Sequence, residues 1–195
     1  MEQRLHINVS PQVYIFAAVL LLIVPVPWLC GWVAAVLVHE ISHCIALRVC
    51  GKKIDTILLN MAGASIQTES LSDWQTIFCS LAGPLGGLLL LLAVRVFPQA
   101  AICAVLLSIY NLLPIFPLDG GRVLYGFMHM ILPECICKRV CFVVEKMVIF
   151  VIVLFGIYAT FFWKLGALPF CASVLFALRM YKIKIPCKST LDRVQ

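Results

Sequence analysis

The sequence predicts an all-α polytopic membrane protein of about six transmembrane helices, with a short β-hairpin at the membrane surface between the second and third. Three observations predict it. Hydrophobic residues make up 63% of the chain and charged residues only 12%, about half the charge of an ordinary soluble domain. The charges are also unevenly spread. From Leu5 to Leu47 the only one is Glu40, and none falls between Asp73 and Arg95, Arg95 and Asp119, Lys146 and Lys164, or Lys164 and Arg179. Those bare stretches approach the roughly 20 residues a helix needs to cross a bilayer.

The spans are expected near 12–27, 30–50, 73–96, 99–116, 140–162 and 166–182. Pro25 and Pro27 mark a turn after the first, and Pro98 a turn after the third, because proline punctuates helices. Pro114 and Pro117 interrupt the end of the fourth, which is short. If the first segment were a cleaved signal peptide, five spans would remain. The weakly basic start and the lack of a small-x-small site before Gly31 speak against that. Residues 1–182 read as one membrane domain and 183–195 as a short basic tail.

Charge placement sets the orientation. With six spans, both termini and the loops near 48–72 and 117–139 share a side that holds Arg4, Arg48, Lys52, Lys53, Arg122, Lys138, Arg139 and the basic tail. The other side keeps Arg95 and Lys164, and Lys146 lies within the fifth span. The positive-inside rule makes the basic side cytoplasmic. The net charge of +6 is therefore a topology signal and implies no nucleic-acid partner. Trp28, Trp32 and Trp163 fit an aromatic belt at the opposite interface. Of the ten cysteines, Cys30, Cys44, Cys79, Cys103 and Cys171 lie in apolar spans and read as small hydrophobes. Cys135, Cys137 and Cys141 cluster near the cytoplasmic face, with a spacing that matches no usual structural zinc pattern.

The second span contains His39-Glu40-Ile41-Ser42-His43. Residues four apart share a helix face, so both imidazoles can reach one ion. Zinc suits that ligand type, and catalytic zinc sites have three protein ligands and one open position. Glu40, one position on from the first histidine, is placed to take a proton from water and return it to a leaving amine. A lone carboxylate at the centre of an apolar span costs about 2.5–3.5 kcal/mol on insertion scales. It is tolerated where it faces a protein interior, a wet cavity or a cation, and the flanking histidines supply the cation site. Candidates for a third ligand are Asp55, Glu69, Asp73, Asp119 and Glu134. Asp119 stands out, because Pro114 and Pro117 break the helix before it and Gly120 and Gly121 let the backbone turn and approach closely behind it. Pairing of Asp119 with Arg122 is the competing reading of the same residue.

The His39-Glu40-x-x-His43 helix, Leu81-Ala-Gly83-Pro84-Leu85-Gly86, and Asn111-x-x-Pro114-x-x-Pro117-Leu118-Asp119-Gly120 occur in that order. Together they resemble the site-2 protease family of intramembrane zinc metalloproteases, over roughly residues 12–182. With histidines in the second span and the aspartate in the fourth, the chain is most similar to the stage IV sporulation protein FB group. The resemblance implies that His39, His43 and Asp119 ligate one zinc ion per chain, that Glu40 is the catalytic acid/base, and that Asn111 arranges the substrate. It further implies a bacterial plasma-membrane enzyme. Its substrate would be a membrane-associated protein, cut near the cytoplasmic face to release a regulatory factor, as in sporulation. Inhibitory or scaffold membrane proteins are possible partners of such an enzyme. The sporulation group carries a nucleotide-sensing CBS domain after its last span, which is not expected here, and no PDZ insertion is present.

Residues 53–68 are rich in β-branched and small residues around Gly63, and read as the hairpin. Its exposed edge could pair with an unwound substrate strand, or the element could only pack on the helices. Gly83-Pro84-Leu85-Gly86-Gly87 reads first as close helix packing and second as a hinge. His6 and His129 read as ordinary interfacial residues. Three function classes follow: an active protease, a catalytically inactive scaffold that binds zinc or partner proteins, and a metal transporter. Transport would need further ionisable residues along several spans. These spans are nearly bare of them.

Overall fold

The computed structural model describes residues 6–9, 21–22, 24–52, 54–60, 63–68, 70–162 and 168–181. It is mostly helical. The chain divides into two compact units, residues 1–111 with 186–195, and residues 112–185.

In the first unit, helix α1 spans Val26–Val49, opening on Pro25 with Pro27 in its first turn, where a missing N–H loses nothing. Proline thus starts this helix directly, where the sequence suggested a turn and a start near residue 30. The helix ends in a Schellman-type cap. Gly51 N–H donates to the Arg48 carbonyl at 2.9 Å and Lys52 N–H to that of Leu47 at 3.0 Å. Gly51 sits at φ +72, with nothing within 4 Å of where a Cβ would be. Gly51→Ala is therefore expected to cost about 1–2 kcal/mol through backbone conformation alone. A lowered midpoint of thermal unfolding would show it; an unchanged one would mean the cap is not a stability element.

Strands β1 (His6–Val9), β2 (Ile54–Asn60) and β3 (Gly63–Thr68) form a sheet of order β1-β2-β3. β2 and β3 are antiparallel neighbours, and β1 runs parallel on the other edge of β2, with Ile7 opposite Ile57. The fold is thus not purely helical, and β1 had no counterpart in the sequence reading. Its parallel partner lies some fifty residues away, beyond the reach of local patterning.

Helix α2 (Asp73–Gly87) begins at a capping box. Ser72 Oγ accepts from Gln75 N–H at 3.3 Å, and Gln75 Oε1 from Ser72 N–H at 3.1 Å. After Pro84 and the glycines the chain tightens into a 3₁₀ stretch, Leu88–Ala93. Helix α3 (Pro98–Asn111) follows. It approaches α1 closely, since a Cβ on Gly31 would lie 2.9 Å from Ala100 N. Ser108 Oγ donates to the Pro84 carbonyl at 2.9 Å, tying α3 to α2.

In the second unit, α4 (Asp119–Ile131), α5 (Glu134–Phe162) and α6 (Leu168–Tyr181) follow one another. The stretch expected as a loop near 117–139 is thus largely helical, and α5 starts six residues before the expected span. Pro133 provides the break between α4 and α5, and its carbonyl accepts the Cys137 N–H at 3.0 Å. Ile115, Leu118 and Ile149 form the buried cluster of this unit, with Phe176 and Ala177 of α6 packed against it.

Among the described residues, three helices are long and apolar enough to cross a membrane: Val26–Val49, Asp73–Ala93 and Glu134–Phe162. Pro98–Asn111 is apolar but shorter. The outward faces are apolar too, with Leu37, Ile41 and Ile45 on α1 and Phe150, Val151 and Leu154 on α5 exposed. Helices greasy on their exposed faces belong in lipid. The expected span near 12–27 lies largely outside the described residues, as do Lys53, Glu69, Trp163, Lys164 and the 183–195 tail.

Candidate metal centre

His39 and His43 stand one turn apart on α1 and converge. Their Nε2 atoms are 3.2 Å apart, with the rings nearly perpendicular at 82°. His39 is 4% exposed and His43 half-buried. His43 Nδ1 lies 2.7 Å from the Cys79 carbonyl oxygen of α2. A carbonyl only accepts, so Nδ1 carries the proton and Nε2 keeps its lone pair for a ligand. Metal-binding histidines are characteristically oriented by such an outer hydrogen bond.

The spacing fits a tetrahedral ion. Two nitrogens each bonded at ~2.0–2.1 Å with a tetrahedral angle between them are separated by about 3.3 Å. The observed 3.2 Å is that separation. The donor set and its geometry therefore suit zinc.

Helix α2 presents small residues to this face. A Cβ on Gly83 would lie 2.5 Å from His43 Cε1 and 2.8 Å from Cδ2, and would overlap Nε2; one on Gly86 would overlap Ser42 Oγ. One on Gly87 would lie 4.0 Å from His39 Nδ1. Ser42 Oγ donates back to the Val38 carbonyl at 2.7 Å. Sequence reasoning took these glycines as packing residues. Their spacing held more, since 83, 86 and 87 repeat the i, i+3, i+4 pattern of 39, 42 and 43.

Glu40 is half-buried on α1, one residue beyond His39. Asn111 ends α3, and its Nδ2 donates to the Leu107 carbonyl at 3.1 Å, so one amide donor is already engaged within its own helix.

Asp119, in the second unit, is the first residue of α4 and 7% exposed. A carboxylate suits the positive end of a helix. The preceding segment folds back over that end, Ile115 N–H donating to the Leu113 carbonyl at 2.7 Å and Leu118 N–H to that of Ile115 at 2.9 Å. A Cβ on Gly120 would lie 2.6 Å from Leu113 O, and one on Gly121 2.6 Å from Ile115 O. The two glycines thus admit backbone closely against the start of a helix, the close approach expected of them.

Of the other candidates, Asp73 opens α2, and Glu134 pairs with Lys138 at 2.7 Å within the first turn of α5. Glu69 and the Asp55 side chain lie outside the described residues. Cys137 and Cys141 are buried thiols outside any disulfide, Cys137 donating to the Tyr125 carbonyl at 3.6 Å, and Cys135 is exposed.

Comparisons with known proteins agree with this chemistry. The model of peptidase family M50 matches residues 91–155, and a family described as "Putative zincin peptidase" matches residues 32–117. The chain is 32% identical over 127 residues to "Putative zinc metalloprotease sll0528" of Synechocystis, a match covering 54% of this chain. It is 26% identical over 137 residues, 63% of this chain, to "Zinc metalloprotease MJ0392" of Methanocaldococcus jannaschii. Those matches span 34% and 40% of the relatives' own lengths. The fold is shared with the solved site-2 protease from Methanocaldococcus jannaschii, with a TM-score of 0.64 at 18% identity, covering 100% of this chain and 94% of that one. The matched family models are described as peptidases, one of them of the zincin kind, and the relatives as zinc metalloproteases, and the solved neighbour shares the fold.

Proposed function

We propose that this chain is a zinc-dependent intramembrane endopeptidase that cleaves a membrane-associated protein substrate near the cytoplasmic face. The observation that carries the reading is the 3.2 Å approach of two imidazole Nε2 atoms, one of whose rings is fixed by a backbone carbonyl. Asp119 is proposed as the third ligand of one zinc per chain. Asp119 is buried at the head of α4, whereas Asp73 is half-buried and Glu134 is exposed and paired with Lys138, which supports that choice. Six spans with the basic side cytoplasmic and the β3 edge of the β2–β3 hairpin at the membrane surface complete the proposal.

Zinc, when bound, supplies Lewis acidity, lowering the pKa of water toward about 7 and polarising a carbonyl. Glu40 takes the proton of the attacking water and returns one to the leaving amine nitrogen. His43 keeps its Nε2 lone pair available because Cys79 holds the Nδ1 proton. Asn111, with one N–H engaged on Leu107, positions the substrate through its remaining amide groups.

Metal analysis of purified wild-type protein beside Asp119→Asn, paired with cleavage of a membrane-anchored substrate, tests the reading. Wild-type protein is expected to hold one zinc per chain. The variant is expected to lose metal affinity by more than the ~10–100-fold seen for outer-shell changes, and cleavage with it. Full zinc occupancy in Asp119→Asn would move the third ligand elsewhere.

A further inference from the structure

Glu145 is the charged residue that neither the sequence reading nor the proposed chemistry uses. It lies within the apolar helix α5 and is 3% exposed. A carboxylate buried at such a position is retained where it has specific partners. One partner is Lys146, whose Nζ is 3.5 Å away, a third exposed and 5.1 Å above the Phe142 ring. The other is the Phe116 backbone N–H, which donates to the Glu145 carboxylate; Phe116 and Glu145 line one small cavity together.

Phe116 lies three residues before Asp119, in the segment that folds over the start of α4. Its backbone is gripped from two sides. On one, Glu145 accepts its N–H. On the other, Gly121 packs so tightly that a Cβ there would come within 2.8 Å of Phe116 N. A cavity of about 10 Å³, roughly one water, separates the remaining walls, lined by Pro114, Tyr125 and Cys141 among others. Ile115 and Phe116 are 0% and 6% exposed, so the segment has little room to relax.

We propose that Glu145 is a positioning residue: by holding the Phe116 N–H it fixes the segment that sets the Asp119 carboxylate at the head of α4. The inference rests on Asp119 being a ligand. The hydrogen bond requires an acceptor oxygen and no charge, so Glu145→Gln keeps it and Glu145→Leu removes it. Lys146→Met leaves it in place.

The test uses the full chain in detergent. It measures the chelator concentration that strips half the zinc, and deuterium uptake across residues 112–122. Glu145→Leu is expected to give up zinc at ~10–100-fold less chelator, with faster exchange of the segment. Glu145→Gln and Lys146→Met are expected to stay within about threefold of wild type. Wild-type retention and exchange in Glu145→Leu, or an equal loss in Glu145→Gln, overturns the proposal. Should Glu145→Leu fail to accumulate, the amide variant decides alone: retention supports the inference and loss overturns it. Asp119→Asn, run alongside, separates the two questions. If it keeps its zinc the parent reading fails; if it loses zinc while Glu145→Leu does not, only this inference fails.

Discussion

Glu40→Gln is expected to leave the protein folded and zinc-loaded while cleavage of a membrane-anchored substrate falls about 10²–10⁴-fold, the range for loss of a general acid/base. The substitution keeps size and one acceptor oxygen and removes the group that accepts and returns a proton. Glu40 shares α1 with both histidines, and the Nε2 atoms meet without it, at 3.2 Å. Metal content should therefore not follow activity down. A parallel loss of zinc would make Glu40 a ligand or a fold determinant. Unchanged cleavage would remove Glu40 from the chemistry, and an unchanged cellular phenotype with cleavage absent throughout would favour the inactive scaffold.

Much of the architecture is visible in the residues because its determinants are local. Pro98 opens a helix where the sequence places a break, and the spacing of His39 and His43 dictates a shared face. The departures occur where a distant partner decides. His6–Val9 is a strand only because β2 lies beside it. Residues 119–131 are helical where a loop was expected, while the close approach read from Gly120 and Gly121 is made against the Leu112–Phe116 backbone. The bond between Glu145 and Phe116 spans about thirty residues, so nothing local to Glu145 signals it. The His43 carbonyl partner was hidden in the same way: a main-chain oxygen has no residue-type signature, and any side chain at position 79 would supply it.

Gly83→Ala is expected to reduce zinc affinity and cleavage about 10²-fold, the scale of loss that an ångström of misplacement produces in a catalytic site. Alanine is the better helix former by about 1 kcal/mol, so propensity alone favours the variant. The added Cβ, however, would lie 2.5 Å from His43 Cε1 and overlap Nε2. The ring has no easy retreat. Its Nδ1 is held 2.7 Å from the Cys79 carbonyl, one turn earlier on the same face of α2, so a shift that clears the methyl group strains that bond or moves Nε2 off its 3.2 Å approach to His39. Gly87→Ala is the matched control. Its Cβ would meet Ser108 Oγ at 3.2 Å, which a shift of a few tenths of an ångström at that side chain relieves, and His39 Nδ1 at 4.0 Å, ordinary van der Waals contact. Helical content should be retained in both variants, with metal and activity lost only in the first. Equal loss in both would assign the glycines to general helix packing. Normal zinc content in Gly83→Ala would mean that the imidazole is free to leave the position on which the proposed metal geometry depends.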